Sequence, residues 1–133
     1  MTKIVVPGTP VGKERPRFTR NGHAYTPDKT RAYEETVRLC WKTQHGYVFP
    51  VKVPVLVNVA AYFPIPESCS KKKRAEMDGR WHVSRPDADN IVKIALDALN
   101  GYAFPDDCAV QIGHVYKIYT NEAPRLEIEL EEL

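Results

Sequence analysis

The sequence has few residues of the kinds that bind soft metals or form disulfides. Its three cysteines are widely separated, no C-x-x-C occurs, and no pair of its four histidines has the spacing of metal ligands on a helix. A zinc site is therefore not expected, and reduced thiols in the cytoplasm are the simplest interpretation. Cys40 and Cys108 stand in apolar surroundings and are expected in the core.

Long apolar segments are also absent. The apolar run near the N-terminus covers only residues 4–6, which is too short for a signal peptide, and no later run approaches the about 20 residues of a membrane span. A membrane partner is therefore not expected. The sequence also lacks G-x-x-x-x-G-K-[ST], so a kinase-like or ATPase reaction is disfavoured.

The charge is unevenly distributed along the 133 residues. The net charge is only +2, but basic residues outnumber acidic ones in residues 1–46 and 70–85, and acidic residues predominate in residues 86–133. Two basic segments and one acidic segment indicate a phosphate-rich partner and a cluster that binds cations. An uneven surface without function would have the same composition, so charge alone does not decide.

Hydrophobic patterning predicts the order β-α-β-α-β-β, and hence a single α+β domain over residues 1–133 with a mixed sheet covered by two main helices. Strands are predicted over residues 3–6, 51–65, 108–119 and 125–130. The first helix is predicted to have Thr26 as its N-cap and to end before Gly46. The second is predicted from Asn90 to Leu99 or Asn100, with Asp89 as its N-cap.

Two smaller features interrupt that order. The dipeptide Asn21-Gly22 predicts a small hairpin in the N-terminal loop. Residues 66–84 form a basic excursion, in which residues 71–77 are predicted to make a helical turn started by Ser70.

Four carboxylates flank a helix that is apolar on nearly all sides. Asp87 and Asp89 precede it in "RPDADNIVKIALDALNG", and Asp106 and Asp107 follow it. Like charges gathered in this way repel each other unless a cation binds them, and oxygen donors without Cys or His favour Mg²⁺ or Mn²⁺. An EF-hand is excluded, because Ile91 stands where that loop needs an oxygen ligand.

The polar residues of that helix form one narrow stripe, consisting of Asn90, Lys93, Asp97 and Asn100, which predicts that the stripe faces a cleft. Taken singly, each residue has a simpler explanation, with Asp89 as a helix cap and Lys93–Asp97 as an i, i+4 ion pair. Their concentration instead favours metal-assisted hydrolysis of a phosphodiester. In that reaction Lys93 would bind a phosphate oxygen or the attacking hydroxide.

The block "RPDADNIVKIALDALNG" followed by "DD" resembles the RusA family of Holliday-junction resolvases, and "GKERPRFTRNGHAYTPDKTRAYE" is similar to the opening of its bacterial and prophage members. The resemblance implies a Mg²⁺-dependent homodimer that cuts two opposed strands of a four-way DNA junction. It implies Asp87, Asp89 and Asp107 as metal ligands and Lys93 as a catalytic lysine. Supporting roles fall to Asn90, Asp97 and Asp106. Residues 66–84 are longer than in compact family members.

The predicted DNA-binding residues lie in the N-terminal loop, in the basic excursion and just before the acids. They are Arg15, Arg17, Arg20, Lys71, Lys72, Lys73, Arg74 and Arg85. Such phosphate contacts supply affinity that depends on salt and little on sequence. Phe18 or Tyr25 would stack on an unpaired base or, equally, pack the loop.

Two other functions remain open at this point. One is a non-catalytic DNA-binding protein with a structural cation site, and the other is a small Mg²⁺-dependent nucleotide phosphohydrolase. The complete set of acids together with Lys93 speaks against the first. Two basic patches, which are oversized for a mononucleotide, speak against the second.

Overall fold

The computed structural model describes all 133 residues and confirms the α+β class. The predicted order β-α-β-α-β-β holds for the main elements, and the predicted small hairpin and the helical turn started by Ser70 are both present. The strands are β1 (Thr2–Pro7), β2 (Arg17–Phe18), β3 (Ala24–Tyr25), β4 (Val55–Pro64), β5 (Val110–Thr120) and β6 (Arg125–Glu132). The helices are α1 (Asp28–Gln44), α2 (Lys71–Met77) and α3 (Ala88–Leu99), and a short 3₁₀ turn covers Asp107–Ala109.

The four long strands form one mixed sheet in the order β1-β6-β4-β5. β6 pairs antiparallel with both β1 and β4, whereas β4 and β5 run parallel. Parallel neighbours need a crossover connection, and the segment that contains α2 and α3 supplies it. The chain enters β5 after α3 and a short connection, and this brings Asp89 and Asp107, from the two ends of α3, close to Ile112 and Val115 of β5.

The core lies between one face of the sheet and helices α1 and α3. Alternate residues of β4 point into it and are buried, namely Val55, Val57, Val59, Ala61 and Phe63. β6 contributes Leu126, Ile128 and Leu130 by the same two-residue period. Pro54 stands just before β4, so its missing N–H costs the sheet no hydrogen bond.

The predicted start of α1 is wrong by one residue. Pro27 occupies the N-cap position in an extended conformation, and the Thr26 hydroxyl makes no capping hydrogen bond. The carbonyl of Thr26 instead accepts a hydrogen bond from the guanidinium of Arg31. The predicted end before Gly46 is confirmed, because Gly46 adopts φ +81° and its N–H donates to the carbonyl of Trp41.

The predicted boundaries near the acids also change. α3 begins at Ala88, so Asp87 and not Asp89 stands at the N-cap position, and neither makes a side-chain cap. The predicted strand over 108–119 begins at Val110, because Asp106 Oδ1 accepts a hydrogen bond from the N–H of Cys108 and starts the 3₁₀ turn. Cys108 is exposed there, contrary to expectation, whereas Cys40 packs against the core.

Both edges of the sheet are partly covered by other groups. The amide of Gln44 bonds both the N–H and the carbonyl of Val5 on the outer side of β1. On the outer side of β5, residues 79–82 pair with the C-terminal half of the strand, whereas residues 110–116 pair only with β4 and have no strand on that outer side. Covered edges resist pairing with other chains. None of the helices combines the length and apolar character required to cross a bilayer.

Candidate active site

Helix α3 is held in position because all of its surface except one narrow face is buried in the core. Its buried residues are Ile91, Val92, Ile94, Ala95, Ala98 and Leu99. The polar stripe is left outside, where Lys93 is exposed and Asn90 and Asp97 are half-buried. The stripe lines two clefts that meet along α3.

The first cleft, called here the α3–β5 groove, has a volume of about 450 Å³. Its polar residues are Asp89, Lys93, Asp97 and Asp107. The rest of its lining is mainly apolar and consists of Ala88, Val92, Leu96, Ile112 and Val115. The groove therefore brings together acids from both ends of α3 above an apolar floor.

The second cleft, called here the N-terminal cleft, has a volume of about 220 Å³ and no apolar lining residue. It is lined by Lys13, Glu14, Arg15, Asp87, Asp89, Asn90 and Lys93. Asp89 and Lys93 line both clefts, so they stand on the ridge between Asp87 and Asp107. A wider opening of about 580 Å³ continues from it and carries the cations Lys13, Arg15, Lys29 and Arg85.

Crowding of the acids is visible at Asp107. Burial raises the pKa of the Asp107 carboxyl, and its hydrogen bond to Asp106 together with the charges of Asp106 and Asp97 raises the pKa further. A carboxyl whose neighbours oppose its ionisation is one that a bound cation would stabilise as the anion. The α3–β5 groove thus has the electrostatic character of a cation site.

The oxygen donors of the acidic side chains fit a hard divalent ion, but these side chains do not converge on one common position. The predicted ligands all offer carboxylate oxygen, which suits Mg²⁺ or Mn²⁺ and not zinc. However, no three acidic, histidine or cysteine side chains are grouped closely enough to hold one ion. A common ion therefore requires Asp87 and Asp107 to turn toward Asp89 on the ridge between them.

The ion pair predicted as the simpler explanation of Lys93 is not present. Asp97 Oδ2 lies 3.1 Å from the Nζ of Lys13, and Lys93 forms no ion pair. Lys93 is therefore an exposed, uncommitted ammonium beside Asp89. An uncommitted cation between acidic groups is available to a phosphate oxygen.

Sequence reasoning missed the role of Lys13. Its Nζ donates to Glu34 Oε1 at 2.5 Å, in addition to its contact with Asp97, and its backbone N–H donates to the carbonyl of Asn90 at 2.8 Å. These contacts tie the N-terminal loop to α1 and α3. Gly12 permits the approach, since a Cβ there would lie 2.5 Å from the Cβ of Pro86. The only signal for Lys13 in the sequence is its place in "GKERPR", a stretch in which only Arg15 and Arg17 have a predicted role, in DNA binding.

The predicted DNA-binding residues fall into three groups. Lys71, Lys72 and Lys73 are exposed on α2 and make no ion pair. Arg15 and Arg85 line the wide opening next to Asp87. The remaining three are less directly placed: Arg17 lies 3.7 Å from Glu14, Arg20 is in the exposed hairpin, and Arg74 donates to the carbonyl of Pro66.

Two comparisons with known proteins bear on the family of this chain. Residues 7–131 match the family described as Endodeoxyribonuclease RusA. A protein of Bacillus subtilis (strain 168) described as "Uncharacterized protein YqaN" is 37% identical over 138 residues, which cover 98% of this chain and 96% of that protein. This match over nearly the whole chain defines the class of the protein as a DNA endonuclease. The chain belongs to the RusA family of endodeoxyribonucleases, which are Holliday-junction resolvases.

Proposed function

We propose that the protein resolves four-way DNA junctions by Mg²⁺-dependent, symmetric hydrolysis of phosphodiesters in recombination and repair. The observation that carries this proposal is the position of Asp89 and Lys93, which line both the α3–β5 groove and the N-terminal cleft. Acids therefore lie on either side of an uncommitted lysine, and the cations Arg15 and Arg85 lie at the adjoining opening. A scissile phosphate in this opening meets both kinds of group.

The residues divide the chemistry between them. Asp87, Asp89 and Asp107 would hold the ion, which supplies a nucleophilic water at neutral pH and charge stabilisation when bound. Lys93 orients a phosphate oxygen and offsets the negative charge of the aspartates. Asn90, Asp97 and Asp106 support the site, Asp97 through Lys13 and Asp106 by starting the 3₁₀ turn that carries Asp107.

A homodimer is part of the proposal. Symmetric cleavage of a four-way junction requires two active sites related by a two-fold axis, and an isologous dimer supplies them. We assign residues 1–133 to one such endonuclease domain, with residues 66–84 as its basic excursion.

The proposal is tested with purified protein, a labelled four-way junction and a linear duplex of matched sequence. With Mg²⁺ we expect paired, symmetric nicks in the junction and none in the duplex, and with EDTA no cleavage of either. Tight junction binding without cleavage would contradict the proposal and favour a non-catalytic DNA-binding protein. Neither binding nor cleavage would direct the search to nucleotide substrates.

The three lysines of α2 should contribute to DNA affinity without taking part in catalysis. Replacing Lys71, Lys72 and Lys73 by Gln removes three exposed charges and should weaken junction binding at low salt by about tenfold or more. Affinity should also fall less steeply with salt, because the magnitude of the negative slope of log affinity against log salt concentration should decrease by about 2 to 3. Lys29→Gln, at the wide opening, gives a single-charge comparison with a slope change of about 1. An unchanged slope in the triple variant would show that α2 does not contact DNA.

A further inference from the structure

The basic excursion ends in a short extended segment that pairs with β5. The N–H of Gly79 donates to the carbonyl of Tyr119, and the N–H of His82 donates to the carbonyl of Lys117, each at 2.9 Å. Successive side chains of an extended segment point to opposite faces. Trp81 and His82 are therefore directed to opposite sides of the sheet.

His82 anchors this segment on the inner side. Its ring stacks on Phe63 with centroids 4.0 Å apart and planes 15° apart, and it lies 4.8 Å from the ring of Tyr119. The Nζ of Lys117 also donates to the carbonyl of Ser84 at 2.6 Å. These contacts fix the backbone on both sides of Trp81, so the indole is presented from a rigid segment.

Trp81 heads a row of three exposed or half-buried rings, called here the aromatic ladder. Trp81 lies 5.3 Å from Tyr116, and Tyr116 stacks on His114 with centroids 4.4 Å apart and planes 14° apart. Trp81 is 62% exposed, whereas the second tryptophan, Trp41, is 1% exposed. Large apolar groups left in water at a fixed position mark interaction sites.

The surroundings of the ladder are basic. Trp81 lines a shallow groove of about 490 Å³ with Lys73, Glu76, Met77 and Arg80, and residues 70–85 taken together contain more basic than acidic residues. Aromatic rings beside cations are the arrangement with which proteins bind unpaired nucleic-acid strands, whose bases expose flat faces. Duplex DNA is a less suitable partner, because its base faces are already stacked on one another. An apolar protein surface is also less suitable, because it would not interact favourably with the cations.

We propose that the aromatic ladder stacks an unpaired base of the DNA substrate, with Lys73 and Arg80 contacting the flanking phosphates. The inference rests on the proposed function in one respect, that the substrate is branched DNA with bases freed near the branch. Tyr116 pairs with Ala60 on the face that no helix covers, whereas Ile112 and Val115 line the α3–β5 groove. A strand that reaches both sites passes over the uncovered edge of β5, residues 110–116.

The test uses the Asp89→Asn protein, so that binding is measured without cleavage, and a single-stranded oligothymidylate of about 10 nucleotides. Trp81→Ala should weaken oligonucleotide binding about tenfold, whereas Trp81→Phe, which keeps a stacking ring, should change it less than about twofold. Affinity for blunt linear duplex should be the same in all three proteins. The oligonucleotide should quench tryptophan fluorescence when Trp81 is present and should leave the emission of Trp41 unchanged in Trp81→Phe.

Two results would overturn the proposal. One is that Trp81→Ala and Tyr116→Ala each bind the oligonucleotide with the same affinity as the Asp89→Asn parent. The other is a change of Trp81→Ala to a smaller species in sedimentation, which would assign the ladder to contact with a second copy of the chain. Junction cleavage by the wild type separates this failure from that of the proposed function. If the wild type cuts junctions but oligonucleotide binding does not depend on Trp81, only the proposal for the aromatic ladder fails. If oligonucleotide binding depends on Trp81 but the wild type cuts no junction, only the proposed nuclease function fails.

Discussion

Replacing Asp89 by Asn should lower the rate of junction cleavage by about three orders of magnitude while leaving junction binding intact. Asp89 is the one carboxylate that lines both clefts. Its replacement therefore removes one negative ligand from the proposed metal site, whether the ion lies nearer Asp87 or nearer Asp107. Electrostatic groups placed at a transferring phosphate contribute on this scale. Asn keeps the size of the side chain, and the helix loses only the favourable placement of an acid in its first turn, about 0.5 kcal/mol.

The measurement is single-turnover cleavage of a labelled four-way junction in Mg²⁺, with binding followed by anisotropy in EDTA. Asp28→Asn is the matched control, because Asp28 is likewise an acid in the first turn of a helix but lies outside both clefts. It should cut at the wild-type rate. Lys93→Ala should also reduce cleavage far more than binding. Wild-type cleavage by Asp89→Asn would show that the active site has been assigned to the wrong acids.

Local patterns were sufficient to predict most elements of the fold. The two-residue alternation of β4 and β6 and the apolar residues of α3 determine which faces are buried, and those patterns are continuous in the sequence. Helix starts were less predictable, because a residue such as Asp89 satisfies the composition of a cap whether or not its side chain makes the bond. The observed start lies two residues earlier and leaves Asp87 at the boundary.

The candidate site was predictable only where its residues are near one another in sequence. Asp87, Asp89 and Lys93 lie within seven residues at the start of α3, so their proximity was predictable, whereas their roles and that of Asp107 were implied by the family resemblance. The partner of Asp97 was not predictable in this way. Lys93 had the right spacing along the helix, but Lys13 reaches the same carboxylate across the fold, because Gly12 lets the N-terminal loop pack against Pro86. Pairings of this kind depend on tertiary contacts that spacing does not encode.

The contacts of Lys13 also identify the acid whose loss should most affect stability. Glu34 is buried on α1, where its two carboxylate oxygens accept from Lys13 at 2.5 Å and from Arg38 at 3.4 Å. Arg38 in turn donates to the carbonyl of Ala98 on α3 at 2.9 Å. Burial alone would lower the pKa of Lys13, but its bonds to Glu34 and Asp97 outweigh burial and raise that pKa. Glu34 therefore joins the N-terminal loop, α1 and α3 in one charged network.

Glu34→Gln should reduce the free energy of unfolding by about 3 kcal/mol, because two partly buried cations lose their shared counter-charge. For a domain of this size the expected fall in Tm is about 10 °C. Glu35→Gln is the control, since Glu35 is the exposed neighbour on the same helix and should change stability by less than about 0.5 kcal/mol. Thermal and urea unfolding of both variants would measure the difference.

A double-mutant cycle distinguishes the network from a simple packing effect. Lys13→Met combined with Glu34→Gln should cost less than the sum of the two single changes, because each single change already removes the contact between the two groups and leaves Lys13 only Asp97, or Glu34 only Arg38, as a charged partner. Additive losses would mean that the two side chains act independently.

The loop held by Lys13 also carries Glu14 and Arg15 into the N-terminal cleft beside Asp87 and Asp89. Cleavage by Lys13→Met should therefore fall even at temperatures where the variant remains folded, since the wall opposite the acids has lost its attachment.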